Sequence, residues 1–348
     1  MSMLLNKKQS GFTLIELMVA MVISLMLMAG TISIFISNKQ VYRVSEASSR
    51  VQESGRFALN FLKRDVRMAG FMGCLNMASG AKVNNNVDTS KVPSANLSYA
   101  VNGFDGTNSV TGYSYGTGSL PTGLGSLGLS PGTTTAGDVM PNTDSIVIKR
   151  AESCPGGNVV NPKDNANFKI ADNSSCGIKK NDVVFVTNCE QSDLFAVVNT
   201  VGATASPATL STGSSLNINN KVSGSYGKES EIYKFQVAAF YIGVGSRAGG
   251  GPSLYSRTLV NGAFVNRELV EDVEDMVITY GVDTDSDKAP NYYVAAGSIA
   301  AADWDKVVSV RITVDVRSPQ QNIVQSTAIT DRRLRHTFTE TIQIRNRI

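Results

Sequence analysis

A single carboxylate, Glu16, stands directly before a stretch without charge that runs from Leu17 to Asn38. Beside a bilayer-spanning helix an unpaired carboxylate costs roughly a few kcal/mol, so such acids are rare and usually partnered. Four cysteines, Cys74, Cys154, Cys176 and Cys189, follow that stretch, and none has CxxC or Cys/His metal spacing. Thiols so placed read as disulfide formers in an oxidising compartment. His336 is the sole histidine, which excludes a histidine metal cluster or paired-histidine chemistry within one chain. A Ser or Cys nucleophile served by His336 is not indicated, no Walker loop occurs, and no enzymatic activity or cofactor is expected. Asp283, Asp285 and Asp287 alternate like the first half of a calcium loop, yet Lys288 stands where an EF-hand needs Gly and Val294 where it needs a bidentate Glu. A solvated turn is the expected reading. Arg332, Arg333 and Arg335 have the chemistry of phosphate contacts, but three charges beside a strand are ordinarily a soluble face. The formal net charge of +3 likewise does not indicate a nucleic-acid surface.

These residues need elements to hold them. From Leu17 through Ile36 the chain is nearly continuous Leu, Met, Val, Ile and Ala, and ~20 such residues cross a bilayer. Lys7 and Lys8 precede the run, so the positive-inside bias keeps the N-terminus cytoplasmic and sends the rest outward. A secretory signal has a shorter apolar region and a small-x-small cleavage site; here the run passes into a charged segment instead. Val44, Val51, Ala58, Leu59, Leu62 and Val66 recur at helical spacings up to Ala69, and no proline occurs before Pro93. One amphipathic helix therefore continues out of the membrane, reaching roughly 85 to 90 Å from Phe12 to Ala69 at ~1.5 Å per residue. Gly30 and Gly55 are places where it bends if it bends at all.

Asn76 to Thr143 is dominated by Gly, Ser, Asn and Thr and reads as a long, partly irregular insertion. Partner-binding loop and solvent-exposed filler fit it equally. Beyond it the pattern is β: Ile146 with Ile148, Val183 to Val186, Leu194 to Val198, Tyr233 to Tyr241, and Met276 to Val282. Asn261 and Gly262 favour a tight hairpin turn between Leu254–Val260 and Ala263–Val270. Val308, Val310, Ile312, Val314 and Val316 alternate with polar residues, which gives one buried and one wet face. Phe338, Ile342 and Ile344 repeat this at the end. The fold class is α+β, a long helix packed on an antiparallel sheet with large insertions. Expected divisions are a leader at 1–11, a transmembrane half at 12–38, an amphipathic half at 39–70, the insertion at 71–143 and a β-rich head at 144–348.

The segment Lys7, Lys8, Gln9, Ser10, Gly11, Phe12, Thr13, Leu14, Ile15, Glu16 resembles the type III signal of type IV prepilins and pseudopilins. That resemblance implies cleavage after Gly11 by a prepilin peptidase, N-methylation of Phe12, and pairing of Glu16 with the free amine of a neighbouring subunit. The plainer alternative is that Glu16 only snorkels to the interface. DVRMAGFMGC at 65–74, LVEDVEDMVITYG at 269–281, VVSVRITVDVR at 307–317 and IRNR at 344–347 look like the PilW family of large type IV minor pilins. They are similar, more weakly, to the J-type pseudopilins of type II secretion. The resemblance implies a single-pass inner-membrane protein with a periplasmic head, later in the pilus tip at the cell surface. Implied partners are other minor pilins, major pilin, the inner-membrane assembly platform with its separate ATPase, and a tip adhesin. Implied roles are initiation of pilus assembly, adhesion and twitching motility. A bitopic periplasmic binding or sensor protein is the alternative of another class. Four cysteines allow three pairings; Cys176–Cys189 with Cys74–Cys154 is the expected one, because a strand at Val183–Val186 turns back between the first two.

A bulky residue in place of Gly11 should block processing, because a peptidase has to approach that bond closely along an extended chain. The uncleaved precursor should accumulate in the membrane fraction on an immunoblot. Mature-sized protein from such a variant would remove the signal assignment.

Overall fold

The computed structural model describes residues 11, 13–75, 81, 83–92, 94–102, 104–105, 108–164, 166–249, 251–260, 262–324 and 330–347. An uninterrupted supply of Leu, Met, Ala and charged helix formers, with no proline, gives a single 54-residue helix, α1, from Leu14 to Arg67. The chain forms two compact units. One comprises residues up to Arg50 with Ser318–Leu334, and the other Val51–Arg317 with Arg335–Ile348.

In the first unit the apolar side chains of α1 face outward: Leu14 is 78% exposed, Phe35 68% and Ile36 62%. The stretch is long and apolar enough to cross a membrane, and such a surface is tolerated in lipid rather than in water. Further along, Gln321 and Ile323 of the same unit meet the helix. Gln40 Nε2 donates to the Ile323 carbonyl at 3.0 Å and Arg43 Nη2 to that of Gln321 at 3.4 Å, while Ile323 itself is buried.

In the second unit α1 continues as a core helix. Val51, Ala58, Leu59, Leu62, Val66 and Ala69 form one buried seam, each large side chain contributing ~1.5–3 kcal/mol by leaving water. After the helix come β1 (Val83–Asn85), α2 (Ala95–Val101), β2 (Val110–Tyr115), α3 (Thr122–Ser126) and β3 (Thr143–Glu152). The Gly/Ser/Asn-rich segment thus supplies strands and short helices as well as loops. Next are β4 (Val159–Asp164), β5 (Asn167–Ile170), β6 (Val183–Thr187), β7 (Ser192–Ala196), β8 (Ala208–Ser211) and β9 (Glu231–Val244). The last six strands are β10 (Pro252–Val260), β11 (Ala263–Glu271), β12 (Val273–Val282), β13 (Tyr292–Ala295), β14 (Val307–Arg317) and β15 (Arg335–Gln343).

The eight-stranded sheet runs β1-β7-β6-β9-β10-β11, with β3 against β9 and β2 against β3. All its pairings are antiparallel except the short β1 with β7. A four-stranded antiparallel sheet has the order β13-β12-β14-β15, and β4-β5-β8 makes a third. The core against α1 draws on both larger sheets: Ile146, Phe240 and Leu254 from one, and Met276, Ile312 and Ile342 from the other. The expected hairpin closes with Val260 opposite Ala263 and Gly262 at φ +76; Asn261 lies outside the described residues. At Gly55 the helix has no side chain because the Phe338 ring from β15 occupies the place of a Cβ.

The C-terminus closes the unit by satisfying loose carbonyls. Asn346 Nδ2 donates to the Ala69 carbonyl at the end of the helix, 3.1 Å away. Arg347 donates to the carbonyls of Trp304 and Val307 and to Ser109 Oγ. Burial pulls the Arg347 guanidinium down to about 10 against the opposing pull of Asp305, so it stays charged at neutral pH. Arg347→Met should keep the bulk and remove the donors, lowering unfolding free energy by about 2–4 kcal/mol. Denaturant unfolding of the isolated variant measures this; an unchanged midpoint would show that the carbonyls need no cap.

Candidate functional site

At the head of α1 the structure brings Thr13 and Glu16 together. Thr13 N and Thr13 Oγ1 both donate to Glu16 Oε2 at 2.9 Å, and Glu16 N donates back to Thr13 Oγ1 at 3.4 Å. With Leu14 the first helical residue, this is a capping box: the N-cap hydroxyl and the carboxylate three residues on satisfy backbone donors that open a helix. The signal Thr-x-x-Glu was readable at 13–16, and the expectation of Glu16 as a pairing carboxylate passed over it. Gly11 is exposed, and a Cβ there would meet no described atom within 4 Å. Packing therefore does not demand glycine at that position. Phe12 lies outside the described residues.

All four cysteines are bonded, as Cys74–Cys189 and Cys154–Cys176, each with Cα atoms 4.8 Å apart. The expected pairing, Cys176–Cys189 with Cys74–Cys154, is thereby corrected. Cys176 and Cys189 flank β6 at opposite ends, and five residues of strand at ~3.3 Å each separate them by roughly 17 Å. Cys189 lies in the turn itself, at φ +71, before the return strand begins. The β4–β5 pairing of Val159 with Ile170 instead sets the residues before β4 beside those after β5, and Asp172 N donates to the Gly156 carbonyl there. Cys154 and Cys176 meet at that base. Cys74 reaches Cys189 because the chain leaving α1 lies along β3, with Ala151 N donating to the Phe71 carbonyl. Phe71 then packs edge-on against Tyr233, the β9 residue opposite Phe185 of β6.

The Asp283, Asp285 and Asp287 carboxylates lie within 4.8 Å of one another, but the turn uses them itself. Asp283 accepts from the backbone N–H groups of Asp285, Ser286 and Lys288, Asp287 from Ala289 N and Asp285 from Asn291 Nδ2. Burial raises the Asp283 carboxyl, and these N–H donors outweigh it and hold the group below its ordinary range. The arginine run disperses as well. Arg335 makes a two-pronged contact with Glu274, Nε to Oε2 at 2.6 Å and Nη2 to Oε1 at 3.0 Å. Arg333 donates to the carbonyls of Ser318 and Pro319 and pairs with Asp331. His336 is exposed and edge-on to Phe338. It shares a groove of about 600 Å³ with Glu274, Asp275, Asp315, Arg335 and Thr337, so neither serine nor cysteine stands among its lining partners.

Residues 239–346 match the family model of the Type IV Pilus-assembly protein W, and residues 6–32 match the Prokaryotic N-terminal methylation motif. No curated protein and no solved structure matches the chain. A prepilin motif opening a long helix whose second half packs on antiparallel sheets defines a pilin-like protein. Within that class, residues 239–346 are similar to the PilW family of type IV pilus-assembly proteins. The PilW match runs from within β9 through β15, most of the sheet surface that receives the helix.

Asp275 in the His336 groove faces Asp315 across the β12–β14 pair. Burial pushes its carboxyl up, and Asp315, Asp144 and Glu274 add to this against one N–H from Met276. A carboxyl raised in the folded state weakens the fold where it is ionised, and the loss is relieved as pH falls through the folded value toward the unfolded value of about 3.9. Asp275→Asn should therefore raise Tm at pH 7, with the gain over wild type shrinking toward pH 4. A gain that does not change with pH would show that packing, not charge, is responsible.

Proposed function

We propose that this protein is a minor pilin that acts by subunit docking rather than by catalysis. Its leader is cut after Gly11 by the prepilin peptidase, Phe12 is N-methylated, and the first half of α1 anchors it in the inner membrane with the head in the periplasm. There it joins other minor pilins in a priming complex, lowers the barrier to adding major pilin at the assembly platform, and enters the filament tip, serving adhesion and twitching motility. One observation carries this reading: a methylation motif stands before a helix whose first half is wholly exposed and apolar while its second half is core. The two disulfides support an oxidising location for the head. The PilW match favours a pilus over the J-type secretion pseudopilin.

Glu16 has two duties in this scheme, and they separate by mutation. Its carboxylate closes the capping box within its own chain, and its charge meets the Phe12 amine of a neighbour, relieving the cost of two unpaired groups at the membrane. Glutamine keeps a capping box and loses the charge; Thr13→Ala loses the cap and keeps the charge. Glu16→Gln and Glu16→Ala should both be cleaved normally yet crosslink to minor-pilin partners in membranes about tenfold less, equivalent to roughly 1.4 kcal/mol. Thr13→Ala should crosslink like wild type, and mass spectrometry should find N-methyl-Phe12 in all three. Wild-type crosslinking by Glu16→Gln would mean that the charge is not what docks the subunit.

A further inference from the structure

Residues Ser318–Leu334 connect β14 to β15, yet they fold with the first half of α1 and not with those strands. Ile323 N and Val324 N donate to the Arg332 carbonyl at 2.9 and 3.1 Å, and the Ile323 carbonyl accepts from Gln40 of the helix. Arg332 is thus joined to α1 at residue 40 by two hydrogen bonds through Ile323. That level on the helix is informative. At ~1.5 Å per residue the uncharged run Leu17–Asn38 spans roughly 30 Å, the thickness of a bilayer's hydrocarbon layer. Lys39 to Arg43 then fall in the headgroup layer, and Tyr42, 71% exposed, is a residue type enriched at that interface.

The charge there is one-sided. Between residues 39 and 50 and in Ser318–Leu334 the basic residues are Lys39, Arg43, Arg50, Arg332 and Arg333, and the acids are Glu46 and Asp331. Glu46 is paired with Arg50 at 2.8 Å and Asp331 with Arg333 at 3.4 Å. The surplus is Lys39, Arg43 and Arg332, and among the described residues Arg43 donates to a neutral carbonyl. Arg332 is exposed and at φ +47, a conformation that Asn or Gly adopts at lower cost, so the turn itself does not select arginine.

We infer that Arg332, carried by the β14–β15 connection to the level of Lys39 and Arg43, completes a basic collar that binds the phosphate headgroups of anionic phospholipid around the emerging helix. The inference rests on the membrane-anchored reading above. Such a collar ties the chain to anionic lipid as long as the helix remains in the bilayer, and extraction into a filament breaks the contact.

The test uses the full-length protein. Alkaline carbonate extraction of membranes comes first: protein released by carbonate overturns the anchoring reading and the collar with it. Protein retained is purified in detergent and followed by native mass spectrometry during titration with phosphatidylglycerol or phosphatidylcholine. The expected result is preferential retention of phosphatidylglycerol. It should fall about fivefold for Arg332→Gln and again for the added Lys39→Gln, the effect of one basic residue each near a charged lipid surface. Arg56→Gln, on the same helix in the other unit, should leave the preference unchanged, and thermal melting checks that each variant is folded. Equal retention of the two lipids, a preference unmoved by Arg332→Gln, or displacement of the lipid by excess inorganic phosphate would each overturn the collar while leaving the anchoring reading in place.

Discussion

The structure depends on one helix meeting two solvents. From Leu14 to Ile36 α1 presents apolar side chains that are mostly more than half exposed, and from Val51 to Val66 its apolar side chains are a closed seam of the core. An α-helix sustains both because its backbone hydrogen bonds are internal and need neither water nor a sheet. The consequence falls on its ends. At the opening turn, the backbone N–H groups of Thr13 and Glu16 are met by each other's side chains within the chain. The closing turn is met by Asn346, and through it the last residues of the sequence are fixed to the end of the first element.

Away from the helix, amides and small carboxylates organise what apolar periodicity does not. Asn217 is fully buried and closes on both the N–H and the carbonyl of Ala196. Asn173 does the same with Ile178 and adds the Gly202 carbonyl. Asp193, almost wholly buried, gathers Ser223, Gly224 and the Tyr226 hydroxyl. Backbone that leaves a sheet still needs partners, and these side chains supply them. A composition rich in Asn and Ser is therefore an inventory of such anchors as much as it is solvated filler.

That distinction marks how far the sequence could be read. Strands β12 and β14 were legible because alternation reports a buried face, β9 by its apolar run, both faces being buried from Val237 to Val244, and α1 because its seam repeats every three to four residues. Glu16 and Gly11 were legible as a motif. The cap was missed because attention to charge hid a local hydrogen-bond pattern. The disulfide pairing was missed for a stronger reason: it depends on which hairpin base lies beside which, and in the β4–β5 pair that joins Cys154 to Cys176 only the four residues of β5 alternate, while β4 does not. Nor did sequence show that Ser318–Leu334 belongs with the first half of α1, since that association rests on two side-chain bonds to carbonyls and one buried isoleucine.

The acidic run Glu271, Asp272, Val273, Glu274, Asp275 shows how neighbours of one chemistry take different duties. At Asp272 the backbone turns through φ +59 and passes from the eight-stranded sheet to the four-stranded one. Its carboxylate is buried and held by Arg247 at 3.1 Å and Arg317 at 3.4 Å. Glu274 takes Arg317 and Arg335, so the arginines of β14 and β15 are drawn onto β12. Removing one partner of a buried pair costs about 3–5 kcal/mol, which makes this corner rigid where the same charges on a surface would add little. Because the corner is rigid, the two sheets present one continuous apolar face, and Val51 to Ala69 of α1 has a fixed seat there. The family match in this segment is thus to a joint between the two sheets on which the second half of the helix is seated.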